Sequence, residues 1–377
     1  IGDAKEESIN TILGLTELKK RRKIGKIFVM GCLSERYRME LLEEIPEIDR
    51  LYGKFDWKEV LADLGHQWDD TLRTSRYQTT PAHYAYVKIG EGCNRMCAYC
   101  AIPIITGKYK SRPIEEIVTE VTQLVGEGVH EFQLIAQDLT GYGLDLYGRR
   151  CLGELLERLA AESGARWIRL HYTYPTSFPI DAIEVIRRYD NICNYIDIPL
   201  QHINSRILAS MQRGIDREGT LRLIRQFRDR LPDVSIRTTL IVGYPGETEE
   251  EFQELKQFVA DARFDRMGCF AYSPEEGTPA EALGDTVSDE DKERRVAELM
   301  AVQEQVSLEK NQARIGRQCT VLIDRREGDF YVGRTEYDSP DVDDEVLIPA
   351  CRRLKIGEFY AVRIAQALEN DLIAEIV

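Results

Sequence analysis

A closely spaced group of three cysteines dominates this sequence, in the stretch Gly92-Cys93-Asn94-Arg95-Met96-Cys97-Ala98-Tyr99-Cys100. The spacing is CxxxCxxC. Three such thiolates can hold three irons of a cubane 4Fe-4S cluster and leave the fourth iron open to a ligand that is not protein. The triplet therefore predicts an iron-sulfur site with one reactive position.

Two other roles for the triplet are a structural zinc site and a disulfide. Zinc usually takes four ligands arranged in CxxC pairs, and the nearest additional candidate is His83, ten residues before Cys93. The chain has nine cysteines, an odd number scattered along its length, which disfavours a disulfide framework. The cysteines without ligand spacing are predicted to be ordinary thiols: Cys151, Cys193, Cys269, Cys319 and Cys351.

From Tyr84 onward, apolar strands alternate with segments of helical periodicity, as in a parallel β/α array. Strands are predicted at 84–89, 131–135, 166–171, 195–198, 235–242 and 266–272. Helices are predicted at 114–125, 152–161, 181–188, 216–230, 249–261 and 288–314. Six repeats predict an open α/β barrel, a partial (β/α)6 TIM-like fold whose site lies at the carboxyl ends of the strands.

Polar or glycine-rich segments follow five of these strands. Besides the cysteine loop, they are residues 136–143, 171–175, 199–202 and 243–248. Their convergence predicts one cavity, where Gly243 lets the backbone approach a ligand. Taken alone, the segment from Gly243 fits a plain strand-to-helix turn capped by Thr248 equally well.

The two ends of the chain differ from this core. At the start, Ile1–Ile9 predicts an amphipathic helix and Ile24–Met30 a buried strand that leads to Cys32. By itself, Cys32 fits a small core residue as well as a ligand. At the other end, five short strands between 318 and 377 predict a small antiparallel barrel of the OB type. The predicted domains are 1–75, 76–310 and 311–377.

Composition narrows the class of protein. The chain has 377 residues and a formal net charge of −15, and its apolar runs fall short of the roughly 18 residues that span a membrane. We therefore expect a cytoplasmic protein that does not bind nucleic acid through bulk electrostatics, although a local basic patch is compatible with that total.

The C-terminal segment 311–377 is acidic. It contains nine Lys or Arg and thirteen Asp or Glu, a net charge of −4, and six of the acids lie between Glu336 and Glu345. A module that grips RNA phosphates should be basic. The charge predicts a basic protein partner instead of RNA, and a solvated acidic loop is the alternative.

CxxxCxxC with an aromatic residue before the last cysteine resembles the signature of the radical S-adenosylmethionine superfamily. The resemblance implies that the open iron takes the amino and carboxylate groups of S-adenosylmethionine, and that an electron from the cluster cleaves the sulfonium to a 5′-deoxyadenosyl radical. It also places Tyr99 beside cluster and cofactor. A core aromatic would fit the sequence at Tyr99 equally well.

Other segments are similar to the methylthiotransferase branch of that superfamily, and the C-terminal barrel resembles its TRAM module. The similar segments are 136–138, 199–202, 211–214, 239–248 and 272–278, so the resemblance covers essentially the whole chain. It implies that Gln137, Gln201, Arg213, Arg237 and Gly243 lie around S-adenosylmethionine or the substrate. Both arginines fit surface charges or helix-end partners as well.

Members of this branch also carry an N-terminal domain whose three cysteines hold a second 4Fe-4S cluster. One of those cysteines lies in a Gly-Cys segment like Gly31-Cys32-Leu33. The resemblance therefore implies that Cys32 is a ligand of the second cluster. It also implies that two partner ligands lie upstream of Ile1 in a longer natural protein.

Within the branch, residues 337–343 (Tyr-Asp-Ser-Pro-Asp-Val-Asp) resemble the RimO family, which modifies ribosomal protein S-12. The implied reaction adds a methylthio group to the β-carbon of an aspartate, on S-12 or the small ribosomal subunit, with flavodoxin or ferredoxin as electron donor. The resemblance assigns no acid or base, since hydrogen abstraction from an unactivated carbon needs a radical. The alternatives are methylthiolation of isopentenyl-adenosine in tRNA and a noncatalytic ribosome-associated iron-sulfur protein.

Overall fold

The computed structural model describes residues 2–69, 74 and 76–377. Ile1, where the first helix is predicted to begin, and Ser75, where the first predicted domain ends, lie outside the described residues. The chain forms two compact units. The first comprises residues 1–75, 92–108 and 274–282, and the second comprises 76–91, 109–273 and 283–377.

The first unit is mainly helical around one short parallel strand pair. Its helices are α1 (Gly2–Lys20), α2 (Cys32–Arg36), α3 (Arg38–Glu44), α4 (Trp57–Asp63) and α5 (Ile102–Thr106), and its strands are β1 (Phe28–Met30) and β2 (Arg50–Tyr52). The strand predicted over 24–30 is therefore too long. Because β2 offers only three residues to pair with, the ladder cannot extend further back along the chain.

The second unit contains the six predicted core strands, all parallel to their neighbours. They form two sheets, one of β3 (Tyr84–Lys88), β6 (Glu131–Ile135) and β7 (Trp167–Leu170), the other of β8 (Tyr195–Asp197), β9 (Ser235–Val242) and β10 (Arg266–Ala271). A parallel bridge between Ile168 and Ile192 connects the two sheets. A short antiparallel pair, β4 (Gly90–Glu91) and β5 (Lys110–Ser111), brackets the cysteine loop in the sequence.

Helices follow the strands and bury one apolar face. They are α6 (Ile114–Gly126), α7 (Leu144–Tyr147), α8 (Leu152–Glu162), α9 (Ile180–Arg188), α10 (Ser205–Ser210), α11 (Arg217–Arg230), α12 (Glu249–Ala262) and α13 (Asp289–Gln312). In α6, Ile117, Val121 and Leu124 are buried at the spacing expected for an amphipathic helix. A capping box of Thr248 and Glu251 starts α12. The predicted partial (β/α)6 architecture is confirmed.

The C-terminal strands close into a five-stranded barrel. They are β11 (Gln318–Glu327), β12 (Phe330–Arg334), β13 (Val346–Pro349), β14 (Phe359–Ala367) and β15 (Leu372–Ile376), in the spatial order β11-β12-β13-β15-β14. The prediction of a purely antiparallel barrel is wrong, since β13 pairs with β15 in parallel. Strand directions cannot alternate around a closed ring of five, so one parallel pair is unavoidable.

This barrel belongs to the same compact unit as the six-stranded core. The three predicted domain boundaries remain a prediction. No helix in the described ranges combines the length and apolar character that a membrane crossing requires.

Candidate functional site

The cysteine loop is a tight turn of the first unit. The backbone N–H of Cys93 donates to Gly107 O at 3.2 Å, and that of Cys100 donates to Cys97 O at 3.1 Å. Gly92 has φ +86°, and a Cβ there would lie 2.4 Å from Lys108 O. Only glycine therefore lets the two ends of the loop approach this closely.

The donor set of this loop fits a cluster. Cys97 is buried, Cys93 and Cys100 are partly exposed, and the Arg95 N–H points at Cys93 Sγ from 3.4 Å. In the part of the chain that the structure describes, no three His, Cys, Asp or Glu side chains gather around a point suited to one metal ion. A cubane binds each thiolate through a different iron, so its three sulfurs stand further apart than the ligands of a single metal ion. The chemistry of three thiolates thus favours a 4Fe-4S cluster over zinc.

The segment Pro274–Ala282 joins this loop to the N-terminal helices of the same unit. Ala280 N donates to Ala98 O at 2.8 Å, Arg36 Nη1 lies 3.3 Å from Glu275 Oε2, and Tyr37 OH donates to Glu276 Oε2 at 2.9 Å. Glu275 and Glu276, which lie in the family-like segment 272–278, thus bind side chains of α2 and of the residue that follows it.

Cys32 and Tyr99 lie in this first unit as well. Cys32 is the first residue of α2 and is exposed, and α2 lies beside α5, the helix that follows the cysteine loop. Tyr99 is half-buried between the second and third cysteines of the triplet. The core position considered for Cys32 is therefore wrong, while its role as a ligand remains a prediction.

Gln137 and Gln201 lie where strands of the second unit end. Gln137 Nε2 donates to Glu91 Oε1 at 2.5 Å. Gln201 has φ +72°, unusual for a residue with a side chain, and its backbone pairs with Thr239 O and Ile241 N. Among the described residues, neither amide oxygen has a hydrogen-bond partner although both are buried. Both are suited to accept a hydrogen bond from a bound ligand.

Arg213 and Gly243 have partners within the protein. Arg213 donates from Nη2 to Pro199 O, and its guanidinium lies 4.2 Å from the centroid of the Tyr174 ring. Gly243 has φ +71°, and a Cβ there would lie 2.3 Å from Lys292 Cγ. The close approach that Gly243 permits in this structure is to the side chain of α13.

Arg237 pairs with two acids. It is the third residue of β9, near the amino end of that strand, with Nη1 3.1 Å from Asp197 Oδ1 and Nε 3.3 Å from Asp343 Oδ1. Arg237 is also in register with Asp197, the last residue of β8, and its role around S-adenosylmethionine or the substrate remains a prediction.

The acidic segment, residues 335–345, is neither a free solvated loop nor a free surface for a basic partner. Asp338 is buried and pairs with Arg266. Arg266 Nη1 also lies 3.2 Å from Asp344 Oδ2. Arg169 Nη1 donates to Glu336 O at 2.5 Å. The net charge of 311–377 therefore overstates the exposed negative charge of this barrel. The prediction of a basic protein partner can no longer be argued from that net charge.

Sequence reasoning missed a set of polar residues that point inward from the core strands. Glu131 and Gln133, Arg169 and His171, and Tyr195 and Asp197 are all buried, and within each pair they are two positions apart. Side chains two apart share one face of a strand. This alternation was visible in the sequence and could have identified a polar interior.

Comparisons with known proteins identify the family of this chain. The model of the radical SAM superfamily matches residues 87–259, and the TRAM domain model matches 315–377. The ribosomal protein uS12 methylthiotransferase RimO of Phocaeicola vulgatus is 56% identical over 100% of this chain and 88% of its own. That of Porphyromonas gingivalis is 53% identical over 100% and 88%, and that of Christiangramia forsetii 53% over 100% and 84%.

Solved structures share the fold at low sequence identity. The radical S-adenosylmethionine methyltransferase TsrM from Kitasatospora setae superposes with a TM-score of 0.53 at 15% identity, covering 74% of this chain and 71% of that one. The cobalamin-dependent enzyme OxsB gives 0.52 at 10% identity, covering 77% and 46%.

Proposed function

The chain belongs to the RimO family of ribosomal protein uS12 methylthiotransferases, and from that premise we propose that it adds a methylthio group to the β-carbon of an aspartate in uS12. The observation that carries the proposal is identity of 53–56% along the whole chain to relatives named for this activity, together with the intact CxxxCxxC loop.

Cys93, Cys97 and Cys100 would hold the 4Fe-4S cluster, and S-adenosylmethionine would occupy its open position. Cluster and S-adenosylmethionine supply, when bound, the radical chemistry that an unactivated carbon requires. The chain's own contribution is positional. The Arg95 N–H directed at Cys93 Sγ favours a thiolate over a thiol, since a hydrogen bond to the charged form stabilises it.

The two glutamines would orient the cofactor or the substrate. The buried amide oxygens of Gln137 and Gln201 are available to accept hydrogen bonds from amino or hydroxyl groups of a bound ligand. Arg213 is held rigidly by Pro199 and Tyr174, which preorganises the segment after α10. Tyr99, between two cysteines of the loop, would cover the cluster.

A second 4Fe-4S cluster with Cys32 as one ligand is the finer part of the proposal. Cys32 is an exposed thiol and the first residue of α2, so its sulfur is accessible to a cluster. In a protein that includes the two implied upstream ligands, replacing Cys32 with Ala should lower the iron content while the cluster of the triplet stays. Full iron content in that variant would contradict the assignment.

The remaining proposals concern the cell. We place the reaction in the cytoplasm, with uS12 or the small ribosomal subunit as substrate and a flavodoxin or ferredoxin as electron donor. A protein substrate is supported by the relatives' printed function.

The test is anaerobic incubation of the reconstituted protein with S-adenosylmethionine, a reductant, and either uS12 or tRNA. Mass spectrometry should find methylthio-aspartate in uS12. Cys97→Ala should abolish the product, whereas Cys151→Ala, which removes a buried thiol of the second unit, should retain it. Methylthio groups on tRNA and none on uS12 would refute the proposal, and absence of 5′-deoxyadenosine would indicate a noncatalytic protein.

A further inference from the structure

The inner faces of the core strands and the acidic segment form one buried polar network. Tyr195 OH donates to Asp343 Oδ2 at 2.7 Å, and Ser339 Oγ lies 3.1 Å from His171 Nε2. Ser235 Oγ donates to Tyr337 O at 3.2 Å. Every contact joins a core strand, or the residue following one, to residues 335–345 of the C-terminal barrel.

Most of this network lies at the amino ends of the strands, whereas His171 follows the carboxyl end of β7. Glu131, Ser235 and Arg266 are the first residues of β6, β9 and β10, and each lies against the acidic segment or its neighbour Arg334. The acidic segment therefore closes the amino end of the partial barrel. The carboxyl end, where such barrels carry their site, is left to other residues.

Asp197 connects the closed end to the carboxyl end. Its carboxylate is fully buried, with Oδ1 3.1 Å from Arg237 Nη1, and Arg237 in turn reaches Asp343. On the other side, Asp197 Oδ2 accepts the backbone N–H of Tyr172 at 3.0 Å. Its backbone O accepts from Thr173 N at 3.0 Å and from Thr173 Oγ1 at 2.6 Å.

Tyr172 follows β7 in a left-handed backbone conformation. Its φ is +62°, which a residue with a large side chain rarely adopts. Contacts hold it there from both sides, because its N–H is bound by Asp197 and its carbonyl accepts Leu139 N at 3.1 Å. Strain that the surroundings maintain in this way is typical of functional positions.

Tyr172 is 52% exposed, although its ring lies 6.1 Å from the ring of His171, so much of its surface remains open to a partner. An exposed tyrosine ring on a rigid backbone presents a large contact area at little entropic cost, which is why tyrosine is enriched at protein interfaces. The strained backbone thus orients an aromatic contact at the end of the barrel strand.

We propose that Tyr172 contacts the uS12 polypeptide and positions it for the reaction, and that Asp343 of the C-terminal barrel fixes Tyr172 through Arg237 and Asp197. Tyr172 is then a substrate-contact residue and Asp343 a positioning residue. The proposal rests on the proposed function, and it gives the C-terminal barrel a role inside the catalytic unit.

The first test compares steady-state kinetics of Tyr172→Ala and Tyr172→Phe with uS12 as the varied substrate. Loss of the ring should raise KM by about tenfold or more, as for an interface aromatic, with a much smaller change in kcat. Phe, which keeps the ring, should restore KM. Tyr77→Ala removes a tyrosine that is 92% exposed and serves as the matched control.

The second test is a double-mutant cycle between Tyr172→Ala and Asp343→Asn. Asp343→Asn should raise KM in the same direction, and the two effects should not add, because both act through one contact. Glu345→Gln, in the same segment but paired with Arg325 at 2.6 Å, should keep the wild-type KM. Should Asp343→Asn misfold, Arg237→Lys interrupts the same connection between Asp343 and Asp197.

Three results separate the possible failures. An unchanged KM in Tyr172→Ala overturns the substrate contact. Additive effects in the cycle overturn the connection to the C-terminal barrel. If the wild-type protein transfers no methylthio group to uS12, the proposed function fails and this inference falls with it.

Discussion

At the residue scale, arginines decide which acids this protein buries. Arg334 binds Glu131 with both terminal nitrogens at 3.0 and 2.7 Å, and it binds Asp324 through Nε at 2.8 Å. Burial alone would raise the pKa of Glu131, but Arg334 and Arg169 outweigh it and lower that pKa to about 2. A carboxylate this well paired stays ionised in the interior, so its arginines become indispensable.

Arg334→Ala should therefore destabilise the protein strongly. Removing one partner leaves Glu131 buried and underpaired, which typically costs about 3–5 kcal/mol. Denaturant unfolding followed by circular dichroism measures the loss. The matched control is Arg325→Ala, because Arg325 and Glu345 form an exposed pair worth less than about 1 kcal/mol. Equal losses in the two variants would contradict the importance of the buried network.

The depressed pKa of Glu131 also fixes a pH dependence. Its stabilising contribution is complete above the ordinary carboxyl pKa of 4.5 and is lost as pH falls toward about 2. Protonation of Glu131 should accordingly contribute to acid unfolding of the wild-type protein. In Glu131→Gln the free energy of unfolding, measured in denaturant at several pH values, should depend less on pH over that range.

Asp344 gives a pH dependence of the opposite sign. Burial raises its pKa from 3.8 to about 7, with Arg266 opposing the shift. Because the folded pKa lies above the unfolded one, stability is lost as pH rises from about 4 to about 7.

Asp344→Asn should remove that loss. We expect a gain of roughly 1–3 kcal/mol at pH 8 and none at pH 4, measured by denaturant unfolding at both values. Asp341→Asn, an exposed acid of the same segment, is the control. A gain at pH 4 equal to that at pH 8 would show that the substitution acts through packing.

At the scale of elements, the cysteine loop depends on one glycine and one backbone contact. Gly92 lies within van der Waals distance of Lys108, and Cys93 N donates to Gly107 O. The loop therefore returns to its own start before α5 begins. The contact between Cys93 and Gly107 thus fixes the positions of the three cysteines in space, whereas the sequence gives only their order and spacing.

Gly92→Ala should disrupt this return. A Cβ would meet Lys108 O at 2.4 Å, a backbone atom that cannot yield easily, and φ +86° is unfavourable for alanine. We expect the variant to lose most of its iron-sulfur absorbance after anaerobic reconstitution. Gly126→Ala, where a Cβ meets nothing within 4 Å, should keep it. Equal absorbance in both variants would contradict this role of Gly92.

At the scale of the whole molecule, the C-terminal barrel completes the core. Its acidic segment closes the amino end of the strands. Arg169, which is fully buried, donates both to Glu131 of the core and to Glu336 O of the acidic segment. Without the C-terminal barrel, the core would expose buried charged groups such as Glu131, Arg169 and Arg266. We infer that core and C-terminal barrel unfold together, while the first unit is a separate compact body.

Hydrogen exchange followed by mass spectrometry tests this cooperativity. Amides of β12 and β6, one strand from each partner, should exchange with the same free energy of opening. Asp338→Ala, which breaks the pair with Arg266, should lower both values by a similar amount. A barrel that opens at much lower free energy than β6 would show that it is an independent appendage.

Much of this molecule was predictable from sequence. Strand boundaries such as 131–135 and 235–242 match the structure, because alternating and helical periodicities are local signals. The resemblance to radical S-adenosylmethionine methylthiotransferases is confirmed at the family level. The site roles of six residues remain predictions: Tyr99, Gln137, Gln201, Arg213, Arg237 and Gly243.

Other features followed only from the tertiary structure. The amino-acid sequence alone determined the cysteine spacing, the order of strands and helices, and thereby the family. It could not show that Arg237 pairs with Asp343, or that the acidic segment is buried against core arginines such as Arg266, because these ion pairs join residues far apart in the sequence. The parallel pair of β13 and β15 likewise arises from closing five strands into a ring. Periodicity reports the environment of a residue, whereas the identity of its partner is decided by how the chain folds back on itself.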